Sequence, residues 1–424
     1  MENNFEAFDG KIVHPSLDYK DGIVTLGFSY RDKEMKDARV RLIAGGSAVQ
    51  MLTGDSFDMK GQVYHFDNKR GSKLASLEDR WGIADAKAFI EGQLRPIPED
   101  MSQSSASLVE RVAAQARKHI EFESELDSYI IAVWVIGSYF HRIFHAFPFL
   151  HVKAPKGSGK SQCLNFLAQM CFNATKARPS LAALGDTVDV LRGTYLIDQA
   201  DSLARKGSED LLDILADSYK RNGGKRRIVN IEKGHREILE FETYAPKAFA
   251  SIKELPEDLR DRCFVLMLTR SKRNDLLDPD DPSNDWRTSR AELYKALLTE
   301  HGLVDATYVM RRIEYKQNKQ IVGRRRELWL PLEVILDRFG ASEKIEAVKA
   351  RFFAQYGFAE YEPDELEEAV VQFILVRLES LPETALSPKE ISKEIYENDA
   401  DLFRSNSDSK QRAAAVGWVI KKLG

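Results

Sequence analysis

A loop rich in glycine, set between an apolar run and a stretch with helical spacing, constrains the fold of this chain more than any other feature. The apolar run covers residues 147–152, the loop reads Ala154-Pro-Lys-Gly-Ser-Gly-Lys160-Ser161, and the helical spacing begins at Cys163. A buried strand, a glycine turn and a helix in this order hold phosphate groups with backbone N–H groups and the positive end of the helix. The segment therefore predicts an α/β domain that binds ATP.

The residue types of the loop suggest a division of labour. Gly157 and Gly159 would let the backbone approach a ligand where a Cβ would clash. Lys160 would carry its charge to the β- and γ-phosphates, and Ser161 would coordinate Mg²⁺. A chance match in an unrelated loop is the alternative. We expect the whole loop to bind the nucleotide: Ala154, Pro155, Lys156, Gly157, Ser158, Gly159, Lys160 and Ser161.

A second apolar run begins at Thr194 and ends in acid at Asp198, which is well placed at a strand end to hold Mg²⁺ through water. ATPases of this build normally carry Glu at the next position, where it orients and deprotonates the attacking water, but this chain has Gln199. An amide can hydrogen-bond a water but cannot take its proton. Three interpretations remain open: a Glu-to-Gln change engineered to trap the ATP state, a natural ATPase of low or absent turnover, or a base elsewhere, such as Asp201.

Composition limits the possible classes of protein. The chain has 424 residues, of which 43% are hydrophobic and 30% charged, as in a soluble protein of several domains. Its net charge of −4 argues against a protein that coats nucleic acid over its whole surface, so any DNA contact must be local. Three cysteines without disulfide or metal spacing favour a cytoplasmic protein, and the acidic N-terminus does not resemble a secretory signal. The apolar run 129–140 is too short to span a bilayer and is predicted to be a buried helix.

A basic segment follows the acidic run. Two β-like stretches, Arg226 to Ile231 and Arg236 to Tyr244, flank a turn at residues 233–235 and predict a hairpin. A protruding cationic hairpin could grip DNA phosphates with little regard to base sequence. An ordinary solvated surface hairpin is the alternative. The candidate DNA-binding residues are Lys225, Arg226, Arg227, Lys233, His235 and Arg236.

The order of these features resembles that of a known ATPase class. The glycine loop, the acidic run and the basic hairpin are followed by Ala245-Pro-Lys-Ala-Phe-Ala-Ser251 and Leu255-Pro-Glu-Asp-Leu-Arg-Asp-Arg262. This order is similar to AAA+ ATPases of the pre-sensor-1-hairpin clade, and more narrowly to minichromosome-maintenance-like and primase-helicase-type helicases of phage and mobile genetic elements. The resemblance covers roughly residues 105–340. Its phosphate motifs are shared by many ATPases, whereas the hairpin and the sequence that follows it are specific to a smaller group. Gln199 departs from the family's Glu.

The resemblance implies a fold and a domain order. The fold class is α/β: an AAA+ P-loop ATPase core with a helical lid, a small β-rich N-terminal domain and a C-terminal winged-helix-like module. We expect the β-rich domain over residues 1–100, the core over 101–275 with its hairpin at about 225–244, the lid over 276–360 and the C-terminal module over 361–424. The chain stops at Gly424, where a wing would come next, so the module is either truncated or incomplete.

Further roles follow only from the resemblance. Ser251 would take the sensor-1 place beside the γ-phosphate, although a strand-end cap explains it nearly as well. Arg262 would be the arginine finger that reaches the ATP of a neighbouring subunit, with Arg260 as second candidate and an ion pair with Asp258 or Asp261 as the structural alternative. Arg326 would be sensor 2. The candidate catalytic residues are Lys160, Asp198, Gln199, Ser251, Arg262 and Arg326, and the implied assembly is a homohexameric ring.

The functional expectation is an ATP-dependent DNA helicase or translocase in the replication of a phage or mobile element. It would use ATP and Mg²⁺, hold single-stranded DNA in a central pore, and meet a replication initiator or primase. The competing hypothesis is a nucleotide-dependent switch or loader of protein partners in which Gln199 retains ATP. A small-molecule kinase is a third class, and it leaves the basic segment and the arginine candidates without a purpose.

Overall fold

In a computed structural model of the chain, the described residues of the N-terminal part form seven strands. They are β1 (Lys11–Val13), β2 (Leu17–Lys20), β3 (Ile23–Arg31), β4 (Asp37–Gly45), β5 (Ala48–Leu52), β6 (Ser56–Met59) and β7 (Gln62–Phe66). β2 to β5 form an antiparallel sheet in chain order, and β7 pairs with β1 and β6 in a second sheet. Apolar side chains from both sheets share one core, including Val13, Ile43 and Tyr64. The β-rich N-terminal region predicted from the sequence is therefore present.

The structure describes most of the chain. The chain divides into two compact units, Met1–Phe352 and Phe353–Gly424. The described residues are 10–31, 37–45, 48–67, 87–88, 90–91, 107–178, 180, 184, 188–204, 208–232, 235–318, 321, 323–359, 369–370, 373–374, 377, 387–398 and 408–423. Within these ranges, none of the helices combines the length and the apolar character that crossing a bilayer requires.

A parallel five-stranded sheet forms the centre of the first unit. Its strands are β8 (Phe149–Lys153), β9 (Thr175–Ala177), β10 (Tyr195–Ile197), β13 (Lys247–Ser251) and β14 (Cys263–Met267), in the order β14-β8-β13-β10-β9. All neighbouring pairs are parallel. The carboxyl ends of the strands therefore lie along one edge of the sheet, the carboxyl edge, and the residues that precede the strands lie along the opposite amino edge. Strands β11 (Arg226–Glu232) and β12 (His235–Phe241) form a separate two-stranded hairpin.

Helices alternate with these strands and continue after them along the chain. In chain order they are α1 (Leu108–His119), α2 (Glu125–Phe140), α3 (Lys160–Met170), α4 (Glu209–Asp217), α5 (Glu257–Arg260), α6 (Trp286–Asn318), α7 (Gly323–Arg338) and α8 (Ile345–Ala359). α2 is buried along nearly its whole length, as predicted, and begins with a capping box between Ser124 and Asp127. The indole N–H of Trp134 donates to the Pro148 carbonyl at 2.9 Å, so α2 is fixed against the start of β8.

The second unit contains α9 (Pro388–Asn398) and α10 (Ser409–Leu423). Ile391 and Ile395 of α9 pack with Val370 and with Val416 of α10 in a small apolar core. The two helices match the stretches predicted from the sequence. The winged-helix-like module and the helical lid stay predictions, and part of the segment 361–407 lies outside the described residues.

Candidate functional site

The glycine loop connects β8 to α3 at the carboxyl edge of the sheet. Gly157 and Gly159 have φ of 78° and 82°, a region that residues with a Cβ rarely adopt, and Gly159 is the N-cap of α3. A Cβ built on either glycine meets no heavy atom within 4 Å. The glycines are therefore required by backbone conformation and not by a clash with protein, and open space lies above the loop where a phosphate would bind.

The rest of the loop is fixed to the sheet. Ala154 stands where the general pattern has its first glycine, and it is buried without a positive φ, so alanine is accommodated. Its N–H donates to the Ser251 carbonyl at 3.2 Å, which joins the loop to β13. The Lys160 ammonium bends back to donate to the carbonyls of Ala154 and Pro155. An ammonium has three donors, so one remains for a phosphate.

Asp198 follows β10 at the same edge. One strand, β13, separates β10 from β8, so the acid and the loop are about 10 Å apart along the edge. One carboxylate oxygen of Asp198 accepts the Gln199 N–H at 2.9 Å, and the other lies 3.7 Å from the Lys176 ammonium. Ser161, exposed at the start of α3, and Asp198 offer the oxygen ligands that Mg²⁺ prefers, so the predicted donor pair fits that ion.

The residues after Asp198 have distinct positions. Gln199 is exposed and has a φ of 57°, which is unusual for a side chain of this size. Asp201 accepts the N–H groups of Ile252 and Lys253 at 2.9–3.1 Å with its carboxylate. Asp201 was considered as an alternative base, but in this structure it holds the turn that follows β13 between the glycine loop and Asp198.

Ser251 lies at the end of β13 with its side chain inside the sheet. Its hydroxyl donates to the Lys253 carbonyl at 2.6 Å and lies 2.6 Å from Nε2 of His151 on β8. Because the hydroxyl has only one proton, we assign the second bond to an N–H of the His151 ring. Burial lowers the pKa of His151 to about 3, so the ring is neutral. Contact between Ser251 and a γ-phosphate would therefore require its side chain to rotate.

The arginine-finger candidate lies at the amino edge. Arg262 is buried, donates to the Asp258 carbonyl, and lies 3.8 Å from the Asp258 carboxylate. Its guanidinium also lies 5.4 Å from the ring centroid of Tyr219. The structural ion pair considered from the sequence is thus present. Contact between Arg262 and a nucleotide would require it to leave these partners.

Arg326 also lies at the amino edge. It lines a cavity of about 60 Å³ together with His145, which precedes β8, and with Tyr308 of α6. The five residues of β8 span roughly 16 Å between this edge and the glycine loop. Arg326 therefore lies at the edge of the sheet opposite the glycine loop, and its role as sensor 2 stays a prediction. The neighbouring Arg324 forms an ion pair with Asp261 at the start of β14.

The basic hairpin has the predicted strands, with Arg226 opposite Phe241 and Glu232 opposite His235. Lys225 and Arg227 both pair with Glu240, so part of the positive charge at its base is neutralised. Arg227 and Arg236 are exposed, whereas Arg226 is half-buried. Lys233 and the side chain of His235 lie outside the described residues. The two strands pair only with each other among the described strands.

Among the comparisons with known proteins, only the one with solved structures finds similar chains. No protein-family model and no curated protein matches the chain. The chain is similar to a full-length MCM homologue from Methanopyrus kandleri at 12% identity, covering 79% of this chain and 77% of that one with a TM-score of 0.34. It is similar to the NrS-1 C-terminal region at 10% identity, covering 89% and 80% with a TM-score of 0.33. It is also similar to JCV helicase at 13% identity, covering 56% and 62% with a TM-score of 0.21.

The glycine loop, Lys160, Ser161 and Asp198 converge at the carboxyl edge, whereas Arg262 and Arg326 lie at the amino edge. His151 was missed from the sequence, because a single histidine inside an apolar strand gives no signal. Lys176 was missed as well, because its approach to Asp198 depends on the pairing of β9 with β10.

Proposed function

We propose that this protein is an ATPase that binds Mg-ATP at the glycine loop and uses the nucleotide to act on DNA as a helicase or translocase. One observation carries the proposal: the loop has two positive-φ glycines beneath open space and opens a helix on the same sheet edge as Asp198. Backbone N–H groups at a helix N-terminus and a nearby carboxylate suit a polyphosphate with its metal ion.

The residues divide the work as follows. The loop N–H groups and the α3 N-terminus hold the phosphates, and Lys160 turns its free donor to the terminal ones. Ser161 and Asp198 would hold Mg²⁺, which supplies charge neutralisation during phosphoryl transfer. Gln199 can orient the attacking water through its amide, and it leaves that water protonated. The proposed enzyme is therefore slow in the form that carries Gln199.

The DNA part of the proposal rests on the hairpin. It stands apart from the central sheet and exposes Arg227 and Arg236 in a chain whose net charge is −4. We propose that a hexameric ring places these hairpins around single-stranded DNA, in the replication of a phage or mobile element with an initiator or primase as partner. In such a ring Arg262 would exchange Asp258 and Tyr219 for the ATP of the next subunit, with Arg326 in a similar position.

A nucleotide-dependent switch or loader is the second candidate. Gln199 favours it, because the residue beside Asp198 cannot act as a base, and Asp201 is engaged by two backbone N–H groups. Such a protein would bind ATP, change its partners and hydrolyse little. The hairpin would then contact protein instead of DNA.

ATP turnover with and without single-stranded DNA separates these proposals, measured on this chain and on Gln199→Glu, with Lys160→Ala as the inactive control. We expect Gln199→Glu to turn over ATP faster when DNA is added and the parent chain to be nearly silent. If neither form responds to DNA while both bind ATP, the switch replaces the helicase. A chain that does not bind ATP would refute both.

A further inference from the structure

A cavity of about 520 Å³ opens at the base of the hairpin, between the N-terminal sheets and the end of α2. It is large enough for a nucleotide unit. Among the described residues, five cationic side chains line it: Lys20, Arg142, Arg192, Arg221 and Lys225. It lies within the first unit, and it does not include any residue of the glycine loop.

Two of these arginines form a closed network with carboxylates. The guanidinium of Arg142 donates to Glu242 at 2.9 Å. The guanidinium of Arg192 donates to Glu242 at 3.1 Å and to Asp18 at 2.9 Å. Their Nε–H groups are nevertheless buried without a hydrogen-bond acceptor in the described part of the chain. Lys225 pairs with Glu240. Four carboxylates also stand among the described lining residues, Asp18, Asp67, Glu240 and Glu242, so the cations exceed them by one.

Arg221 is the exception within this set. It is half-buried, and among the described residues its guanidinium has neither a hydrogen bond nor an ion pair. Its backbone N–H donates to the His145 carbonyl at 2.8 Å, which fixes its position on the cavity wall. Burial, followed by the positive charge of Arg142, lowers the pKa of Arg221. The charges of Asp18 and Glu242 offset only part of that effect. A bound anion would give the guanidinium the hydrogen-bond partner that it lacks among the described residues.

One face of the hairpin, formed by Arg227, Val229, Ile238 and Glu240, is continuous with the lining of the cavity. Arg227 lies opposite Glu240, which lines the cavity, and Val229 lies opposite Ile238 farther along the same face. Val229 and Ile238 are 55% and 68% exposed. An apolar strip beside cationic groups suits a single strand, whose bases have apolar faces and whose backbone is anionic.

We propose that the cavity binds a backbone phosphate of the single-stranded DNA that lies along the hairpin face, with Arg221 as its direct contact. This inference rests on the proposed DNA function. It extends the DNA path from the hairpin to the junction with the N-terminal sheets. A phosphate at that point accepts from Arg221 and supplies the missing negative charge.

Fluorescence anisotropy with a labelled oligothymidylate, in the absence of nucleotide and over a range of salt concentrations, tests the proposal. Arg221→Gln should weaken binding about tenfold and make the slope of log K against log[salt] shallower by about 0.7, the loss of one phosphate contact. Arg221→Lys should keep the slope. Asn222→Asp, at an exposed lining position with a φ of 66° that Asp tolerates, adds a negative charge without removing packing and should also weaken binding.

Two controls separate this inference from the proposed function. Arg273→Gln removes a charge that pairs with Asp275 outside the cavity and should leave binding unchanged; an equal loss there would overturn the cavity assignment. If Arg227→Gln weakens DNA binding while Arg221→Gln and Asn222→Asp do not, the cavity proposal is wrong and the hairpin role stands. If the parent chain does not bind the oligonucleotide at all, both proposals fail.

Discussion

Lys247 lies at the first position of β13, fully buried in the central sheet. Its ammonium donates to the carbonyls of Thr243 at 2.7 Å and Ala245 at 3.2 Å, and lies 5.3 Å from the ring centroid of Phe149. Burial lowers the pKa of Lys247 from 10.5 to about 7, and Glu242 offsets only part of that effect. A neutral amine keeps two N–H groups, which is enough for both carbonyls.

The free energy of unfolding should therefore rise with pH in a defined window. Between pH 7 and 10.5 the unfolded chain binds a proton on Lys247 that the folded chain does not, so raising the pH removes a penalty on folding. The slope approaches about 1.4 kcal/mol per pH unit, and from pH 7 to 9 the gain sums to about 2 kcal/mol. Below pH 7 both states carry the proton and the contribution is constant.

Lys247→Met removes the titrating group but leaves the two carbonyls without their donor, at a cost of about 1–3 kcal/mol each. The absolute stability is thus a poor measure, and the pH dependence is the informative one. Urea unfolding followed by tryptophan fluorescence at pH 7, 8 and 9 should show that, from pH 7 to 9, the free energy of unfolding changes by about 2 kcal/mol more favourably in the parent than in Lys247→Met. Burial also raises the pKa values of Cys163 and Cys263, but both variants share those thiols. Lys118→Met, at an exposed position of α1, should behave like the parent, and a Lys247→Met variant that keeps the full rise would refute the reasoning.

Three further predictions concern the site and its supports. Gly159→Ala should abolish ATP binding and destabilise the fold by about 1–2 kcal/mol, because the φ of Gly159 is 82°. Gly302→Ala, inside α6 where a Cβ meets no other atom, should stabilise the fold by about 1 kcal/mol. Isothermal calorimetry measures the ATP affinity, and urea unfolding measures the stability. In the Gln199→Glu background, Asp201→Ala should lower ATP turnover without changing ATP affinity, since it frees the turn after β13 and leaves the loop intact. Glu242→Gln should cost about 3–5 kcal/mol in unfolding free energy, because two buried arginines lose their shared carboxylate.

Each of these has a result that would contradict it. Normal ATP affinity in Gly159→Ala would show that the positive φ of the loop is dispensable. An unchanged turnover in Asp201→Ala would remove the turn from the catalytic machinery. A Glu242→Gln protein as stable as Glu346→Gln, in which an exposed glutamate of α8 is changed, would mean that the buried network contributes little.

The sequence predicts the parts of the fold that local patterns determine. The glycine loop, the buried helix α2 and the two strands of the hairpin each follow from periodicity and turn residues within a short segment. The parallel sheet follows from the alternation of strands and helices. The position of Asp198 beside the loop then follows, because parallel strands end at one edge.

Side-chain partners that come from distant segments could not be predicted in the same way. Ser251 faces inward because an N–H of His151, on a neighbouring strand, donates to its hydroxyl. Arg262 has a local partner, Asp258, that the sequence offered as an alternative, but its second partner, Tyr219, comes from a distant segment. The hairpin looked strongly basic from its composition, but strand register places Glu240 against two of its cations.

Arg192 joins three parts of the protein that are far apart in the chain, through its ion pairs with Glu242 and Asp18. Glu242 follows β12, Arg192 stands just before β10, and Asp18 belongs to the N-terminal sheet. A hairpin that tilts under load must either separate these charges, at a cost of about 3–5 kcal/mol, or pull Arg192 with it. Arg192 lies just before β10, and Asp198 lies just after it. A movement of the hairpin base that displaces Arg192 would therefore also displace the strand that ends at the proposed metal site.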